Sequence, residues 1–371
     1  MIQGFATLEG TGNFEARFGQ VSQAGFFRVF RGLQLASIGL GTYLGEMDDN
    51  TDEASFRALE ALVAGGVNVI DSAINYRGQR SERTIGRALK DLIGNEKLKR
   101  EEIFISTKGG FLPFDGEFPS NPHAFFETEY VRPGILKPGD LVQGCHAMTP
   151  NYLENQIERS LKNLGVESID LYYVHNPETQ LEELDEDLFY DRLKRAFELL
   201  ERKVAEGKIK TYGTATWNGY RISSESQGFL SFESVLKAAQ EAGGVHHHFR
   251  AIQLPYNLAM PEAFFYQNQS WKGEVLSTIE CARRAGVLVF VSASLLQGQL
   301  AHNLSDQIRS QFQGISSDAL RALQFVRSTP GVSCALAGMK TPAHVKENLA
   351  LALTALIPEG SFSKLFGARR D

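Results

Sequence analysis

Short runs of β-branched and apolar residues alternate along the chain with longer segments whose apolar positions recur every three or four residues. Runs of the first kind predict buried strands, and segments of the second kind predict amphipathic helices. Strands are expected at 33–41 (LQLASIGLG), 67–73 (VNVIDSA), 102–109 (EIFISTKG), 168–175 (SIDLYYVH), 209–215 (IKTYGTA), 249–256 (FRAIQLPY), 287–293 (VLVFVSA) and 332–338 (VSCALAG). Between them, 52–66 carries Phe56, Leu59, Leu62 and Val63 on one helical face, and 149–165 carries Leu153, Ile157, Leu161 and Leu164 on another. Thr149-Pro150 and Thr341-Pro342 each place a hydroxyl N-cap before a proline at the first helical position, and Gly165 and Gly207 mark C-terminal ends. Strand and helix in strict alternation predict a parallel sheet with crossover helices, and eight such units close a (β/α)8 TIM barrel. An open doubly wound sheet usually needs fewer strands and a reversal of their order, so the closed barrel is the preferred reading.

Two segments break this rhythm. Residues 1–34 precede the first barrel unit, and FFRVFRG within them is expected to pair with LQLASIG across Arg31-Gly32 as a hairpin over the barrel floor. The stretch 111–148 leaves the carboxyl end of the third strand and is too long and too aromatic for an ordinary connection. Loops at that end of a barrel line the site, so Phe111, Phe114, Phe118, Phe125, Phe126 and Tyr130 are candidates for a lid or substrate wall. The alternative is an inert surface excursion. The expected organisation is one barrel domain over 1–371, with 1–34 as an extension, 111–148 as an inserted active-site loop, and the tail after Leu356 also shaping the pocket.

Composition narrows the class without changing it. A chain of 371 residues, 43% hydrophobic and 22% charged, has the balance of a soluble globular protein and excludes disordered, collagen-like and coiled-coil classes. A net charge of -6 and a pI near 5.8 offer no basic footprint, so nucleic acid is not an expected partner. No stretch approaches the roughly 18 apolar residues of a membrane helix, and the N-terminus lacks a leader pattern; a cytoplasmic protein without a membrane partner is expected. Cys145, Cys281 and Cys334 are far apart and form no C-x-x-C pair, which predicts inert thiols. No heptad or repeat marks an oligomer interface.

In a barrel the carboxyl ends of all strands open on one face, so polar residues placed there meet although remote in sequence. Strand two ends in IDSAINY with Asp71 and Tyr76, strand three in STKG with Lys108, and strand four in YYVHNP with His175. A lone buried charge is strongly unfavourable, so Asp71 and Lys108 are expected to pair. That pair alone could be structural. Tyr76 adds chemistry: a cation about 4 Å from a phenol supplies roughly 4 kcal/mol at most, enough to draw a pKa of ~10 down by two to three units. Such a phenol would exchange a proton with a carbonyl oxygen, Asp71 would keep Lys108 charged, and His175 would orient the carbonyl.

The motifs IGLGTY (38–43), IDSAINYRGQRSERTIGRAL (70–89), ISTKGGF (105–111), IERSLKNLGVESIDLYYVHNP (157–177), GKIKTYGTATWN (207–218), IQLPYNL (252–258) and GMKTPAHVKENLALA (338–352) resemble those of the aldo-keto reductases. The resemblance runs in order through all eight units, from Leu35 to Leu356. It implies a (β/α)8 barrel that interconverts aldehydes or ketones and alcohols with NAD(P)H, using a tetrad that maps here to Asp71, Tyr76, Lys108 and His175.

A nicotinamide cofactor invites a search for G-x-G-x-x-G, and only a near miss, GLGTYLG from Gly39 to Gly45, is present. Barrels instead place phosphate at the loops after strands seven and eight beside a helix N-terminus, and Gly338-Met339-Lys340-Thr341-Pro342 has that form. The resemblance implies that Lys340, His344, Glu347 and Asn348 surround the adenosine end, with Gly338 at the turn. It also implies that Asp71, Gln253 and Thr42 lie at the nicotinamide and that Leu295, Gln297 and Gly298 border the pyrophosphate. Tyr43, Phe111 and Trp217 are the candidates to face the substrate, Trp217 by its place after strand five, where it either lines the pocket or simply packs. Three positions depart from the family pattern. Thr214-Ala215-Thr216 replaces the Ser-Asn that often holds the carboxamide, Ser292 stands where an aromatic ring often stacks, and His344 stands where NADPH-selective relatives often have arginine. Lys340 still favours NADPH, with NADH possible.

The expected partner is a small carbonyl or alcohol, apolar or aromatic in character. A nicotinamide-binding sensor or regulatory subunit with little turnover is the alternative, and a Schiff-base role for Lys108 a weaker third. Other features read as structural. His246-His247-His248 lie at the opposite barrel end and are not expected to bind metal, Trp271 could simply pack, and the acidic run 182–191 suits a helix entry.

Overall fold

We describe the protein from a computed structural model covering residues 1–137 and 139–366; residue 138 of the inserted loop and residues 367–371 of the expected C-terminal tail lie outside the described residues. Eight parallel strands form a closed barrel: β1 (Ile38–Gly41), β2 (Val69–Asp71), β3 (Phe104–Gly109), β4 (Ile169–His175), β5 (Ile209–Ala215), β6 (Phe249–Pro255), β7 (Leu288–Ser292) and β8 (Cys334–Ala337). Each pairs with its neighbour in sequence, and β8 closes the ring onto β1 through Ala335 against Ile38 and Leu336 against Gly39. The crossover helices are α1 (Asp49–Ala64), α2 (Arg80–Gly94), α3 (Pro150–Leu164), α4 (Glu186–Ala205), α5 (Phe232–Gly243), α6 (Thr278–Ala285), α7 (Asp318–Ser328) and α8 (Pro342–Leu349).

The apolar faces expected from periodicity are the buried ones. Phe56, Leu59, Leu62 and Val63 of α1 and Leu153, Ile157, Leu161 and Leu164 of α3 belong to the cluster between strands and helices. Inside the barrel, Val69, Phe104, Leu171, Tyr173, Ala251, Leu288, Phe290 and Leu336 fill a second core. Local chemistry sets the helix ends. Asp48 accepts from the Thr51 N–H at the start of α1, Asp185 from Leu188 at α4, and Thr341 from His344 at α8. Thr149 differs from expectation: its buried hydroxyl has no hydrogen-bond partner among the described residues, and α3 starts on the fixed φ of Pro150. Gly165 does end α3 in the left-handed conformation, at φ 67°.

The expected strand 33–41 is two strands. Leu33–Ala36 pairs antiparallel with Phe27–Phe30 in the hairpin, and at Ser37 the chain turns into β1. Asn68 ties these parts together: its side chain accepts from the Ala36 N–H and donates to the carbonyls of Gln34 and Glu102. Phe30, Leu33 and Leu35 close the floor of the inner core. The extension also holds a helix, Leu8–Phe18, that the apolar pattern did not reveal. It forms because Thr7 caps Gly10, because Phe14 and Phe18 pair one turn apart, and because Phe14 has Phe27 of the hairpin to pack against, a tertiary contact that no local pattern announces.

The insertion after β3 folds upon itself. Ala147 donates to the Gly110 carbonyl and Leu112 to that of Cys145, so its two ends are hydrogen-bonded together. Phe125 and Phe126 pack with Leu112, Ile135, Leu136 and Tyr130 against Tyr152 of α3. Beyond Leu356, Phe362 packs on Phe264 and on Phe325 of α7. No helix among the described residues is long and apolar enough to cross a membrane.

Candidate active site

The carboxyl ends of the strands open into a cavity of about 680 Å³. Asp71, the last residue of β2, receives three hydrogen bonds: from Lys108 Nζ at 2.6 Å, Ser106 Oγ at 2.7 Å and Gln253 Nε2 at 2.8 Å. Lys108 is fully buried, and its three protons are all used, on Asp71, on the Ser72 carbonyl at 2.6 Å and on the Tyr76 hydroxyl at 3.3 Å. Burial works against the Lys108 charge, yet Asp71 and Tyr76 together hold its pKa above the ordinary lysine value.

Tyr76 behaves otherwise than the sequence suggested. Burial disfavours its phenolate more than Lys108 favours it, Asp71 opposes ionisation as well, and the phenol sits above its usual value instead of being drawn toward neutrality. The expectation counted the lysine and omitted the desolvation and the carboxylate behind it. His175, at the end of β4, has its ring 5.8 Å from that of Tyr76. Burial, then the positive charge of Lys108, hold its pKa well below 6.5, so the imidazole is neutral at physiological pH. Its buried Nδ1 has no hydrogen-bond partner among the described residues.

Of the residues expected at a cofactor, Thr42, Asp71, Ala215, Gln253, Ser292, Leu295, Gln297, Gly298, Gly338, Lys340, His344, Glu347 and Asn348 line this one cavity. Thr214 does not; it is fully buried, with its hydroxyl 2.7 Å from that of Tyr220. The side chain of Gln253 is engaged with Asp71. Asn348 is only 3% exposed, and no hydrogen bond to its carboxamide is present among the described residues. The segment after β7 holds Ala293, Leu296 and Gln297 at φ of 52°, 46° and 55°. Left-handed backbone at non-glycine residues costs about 1–3 kcal/mol each, and such strain gathers at ligand clamps.

Tyr43, Phe111 and Trp217 line the cavity, Tyr43 and Trp217 being partly exposed. The wider aromatic wall expected from the insertion is reduced to Phe111. Phe114 and Phe118 pack on each other with Phe118 exposed to solvent, while Phe125, Phe126 and Tyr130 serve the satellite core, because apolar side chains in one long excursion pack on one another first. None of the described residues after Leu356 lines the cavity either. Sequence reasoning missed Asn75, Asn176 and His302 on the walls. Asn75 and Asn176 lie inside quoted motifs beside Tyr76 and His175 and could have been found there; His302 carries no local signal. Also missed was Glu178, whose buried Oε1 accepts from the backbone N–H groups of Trp217, Asn218 and Gly219 and so sets the loop that carries Trp217.

Elsewhere, His248 pairs with Glu201, and Trp271 packs on Phe232. Cys281 and Cys334 are buried, which pushes the Cys281 thiol up to about 12.

A model of the Aldo/keto reductase family matches residues 37–247, and the chain belongs to that family. Among curated proteins it is 25% identical over 192 residues to a 6-dehydroglucose reductase of Agrobacterium fabrum, covering 52% of this chain and 53% of the relative. It is 27% identical over 190 residues to an NADH-specific methylglyoxal reductase of Escherichia coli, covering 49% of each. The chain thus spans about half the length of the curated relatives it matches. Among solved structures, an aldo/keto reductase from Klebsiella pneumoniae in complex with NADP and acetate superimposes with a TM-score of 0.61 at 20% identity, over 94% of this chain and 97% of that one, which is a likeness of fold.

Proposed function

We propose that the protein is an NAD(P)H-dependent oxidoreductase that interconverts an aldehyde or ketone and its alcohol, with Tyr76 as general acid and base. The observation that carries this reading is the bonded array Asp71–Lys108–Tyr76 beside a neutral His175, at the head of a cavity whose other wall carries Lys340. A substrate oxygen placed between Tyr76 and His175 would accept the phenolic proton from one and a hydrogen bond from the other. The raised pKa of Tyr76 keeps that proton in place at neutral pH, the form reduction requires. As the proton leaves, Lys108 stabilises the phenolate it leaves behind, and Asp71 keeps Lys108 charged.

The residues present fit a phosphate-bearing dinucleotide. Thr341 fixes the start of α8 by accepting from the His344 N–H, which sets His344 on the cavity wall beside the exposed Lys340, and Asn348 offers an unengaged carboxamide. A nicotinamide bound there supplies the hydride. Lys340 favours NADPH and leaves NADH possible; an NADH-specific relative and a neighbour solved with NADP frame that choice. Tyr43, Phe111 and Trp217 suit an apolar or aromatic carbonyl compound.

The experiment is Tyr76→Phe assayed on a carbonyl panel. It keeps the ring contacts to Tyr43 and His175 and removes only the hydroxyl, so turnover should fall by at least about 100-fold with cofactor affinity retained. Near wild-type turnover would overturn the mechanism. A sensor or regulatory subunit with little turnover is favoured by one observation, that the cavity carries Ala215, which has no side-chain hydrogen bond to give a carboxamide, and Ser292, which has no ring to stack on a nicotinamide. Binding without turnover across the panel would select it. A Schiff-base role for Lys108 is disfavoured by the charge that Asp71 stabilises on it.

A further inference from the structure

At the end of β4 the ladder to β3 stops with Val174 opposite Gly109, and the chain turns at Asn176, φ 44°. The next carbonyl, that of His175, has no strand partner on this side. His146 takes that place. It is fully buried in the returning end of the 111–148 insertion, and its Nε2 lies 2.7 Å from the His175 oxygen. The approach depends on Gly110, φ +154°, where a Cβ would stand 2.6 Å from the His175 oxygen and 2.8 Å from His146 Nε2.

The bonds behind His146 define its tautomer. Arg192 of α4 donates to Gln180 Oε1 at 3.0 Å, which turns the Gln180 amide nitrogen toward His146 Nδ1, at 3.0 Å, and toward the His146 carbonyl, at 3.1 Å. Nδ1 therefore accepts, and the single proton of the neutral ring sits on Nε2 and is donated to His175. Burial, against the pull of the His175 carbonyl, lowers the His146 pKa to about 4, so the arrangement holds across the working range. Phe111 stands edge-on to both imidazoles, 5.1 Å from His146 and 5.2 Å from His175, and fills the space between them.

We infer that His146, fixed by Gln180 and Arg192, is a positioning residue that sets the main chain of His175 and thereby aims its imidazole at the substrate oxygen beside Tyr76. The inference rests on the reductase reading. It makes the insertion a brace on a catalytic group and not a lid.

The test compares His146→Leu, which keeps bulk and loses the donor, with His146→Gln, whose amide N–H reaches the Nε2 position. kcat, substrate KM, cofactor Kd and Tm are measured for each. His146→Leu should lower kcat at least tenfold with cofactor Kd within twofold of wild type, and His146→Gln should recover a third or more of the lost rate. Unchanged kcat in His146→Leu, a parallel loss of cofactor affinity, or a folded His146→Gln no better than His146→Leu would overturn the role. If His146→Leu does not fold, Arg192→Met, at a partly exposed position, should lower kcat in the same sense, and an unchanged kcat there overturns the inference. Nitrogen NMR of His146 in the wild-type protein should show the Nε2–H tautomer, and the Nδ1–H form would refute the contact itself. Absence of cofactor-dependent turnover in the wild-type protein overturns the reductase reading, and the inference with it. Normal wild-type turnover with an indifferent His146→Leu overturns the positioning role alone.

Discussion

Lys108→Met removes one charge at the point where the proposed mechanism concentrates it, and its effects can be worked from two distances. Lys108 Nζ stands 3.3 Å from the Tyr76 hydroxyl and 2.6 Å from Asp71. A full phenolate at 3.3 Å would be stabilised by about 5 kcal/mol at an effective dielectric near 20, and half a charge in the transition state by about 2.5 kcal/mol. At about 1.4 kcal/mol per decade, kcat should fall roughly 50- to 100-fold. The same substitution leaves Asp71 buried with two neutral donors and no cation, a loss of about 3–5 kcal/mol of stability. The two effects separate in the double variant Asp71→Asn/Lys108→Met, which removes the orphaned charge. Its stability should return toward wild type while its turnover stays low. Urea denaturation reads the first, steady-state reduction at saturating cofactor reads the second, and cofactor fluorescence checks that binding persists. A folded Lys108→Met protein with turnover within threefold of wild type would refute the electrostatic argument.

The pH dependence follows from Tyr76: because its pKa lies above the ordinary value, reduction should be flat through neutrality and decline only above about pH 10, whereas alcohol oxidation should rise toward that limit. A reduction rate falling between pH 7 and 8 would contradict this. His146 gives a stability slope of opposite origin, since the unfolded chain binds a proton below about 6.5 that the folded state refuses until about 4. Stability present at pH 8 should fall by about 2 kcal/mol at pH 5 through this residue, and the corresponding part of the slope should be missing in His146→Gln, as urea midpoints at both pH values would show. Lys340→Ala should raise the Kd for NADPH about tenfold and that for NADH twofold or less, one charge-assisted contact being worth about 1.5 kcal/mol; equal losses would place Lys340 away from the extra phosphate.

Elements dictated by local pattern were legible without coordinates. Four-residue spacing in α1 and α3, the proline starts at 150 and 342, and eight apolar runs of strand length specify a barrel because each signal is repeated and agrees with its neighbours. Asp71, Tyr76, Lys108 and His175 could be named because barrel closure delivers every strand end to one face. What the residues do there depended on the third dimension. The Tyr76 pKa is a balance among burial, Lys108 and Asp71 that no spacing encodes, and its sign is opposite to the one the nearest charge suggested. The split of 33–41 at Ser37, the helix Leu8–Phe18 and the packing of Phe125, Phe126 and Tyr130 beside Tyr152 follow from contacts between segments that no short sequence pattern links. So does the meeting of His146, Gln180 and Arg192 behind His175, where three unremarkable residues become one hydrogen-bonded support only because the returning end of the insertion, the segment after β4 and the first turns of α4 lie side by side.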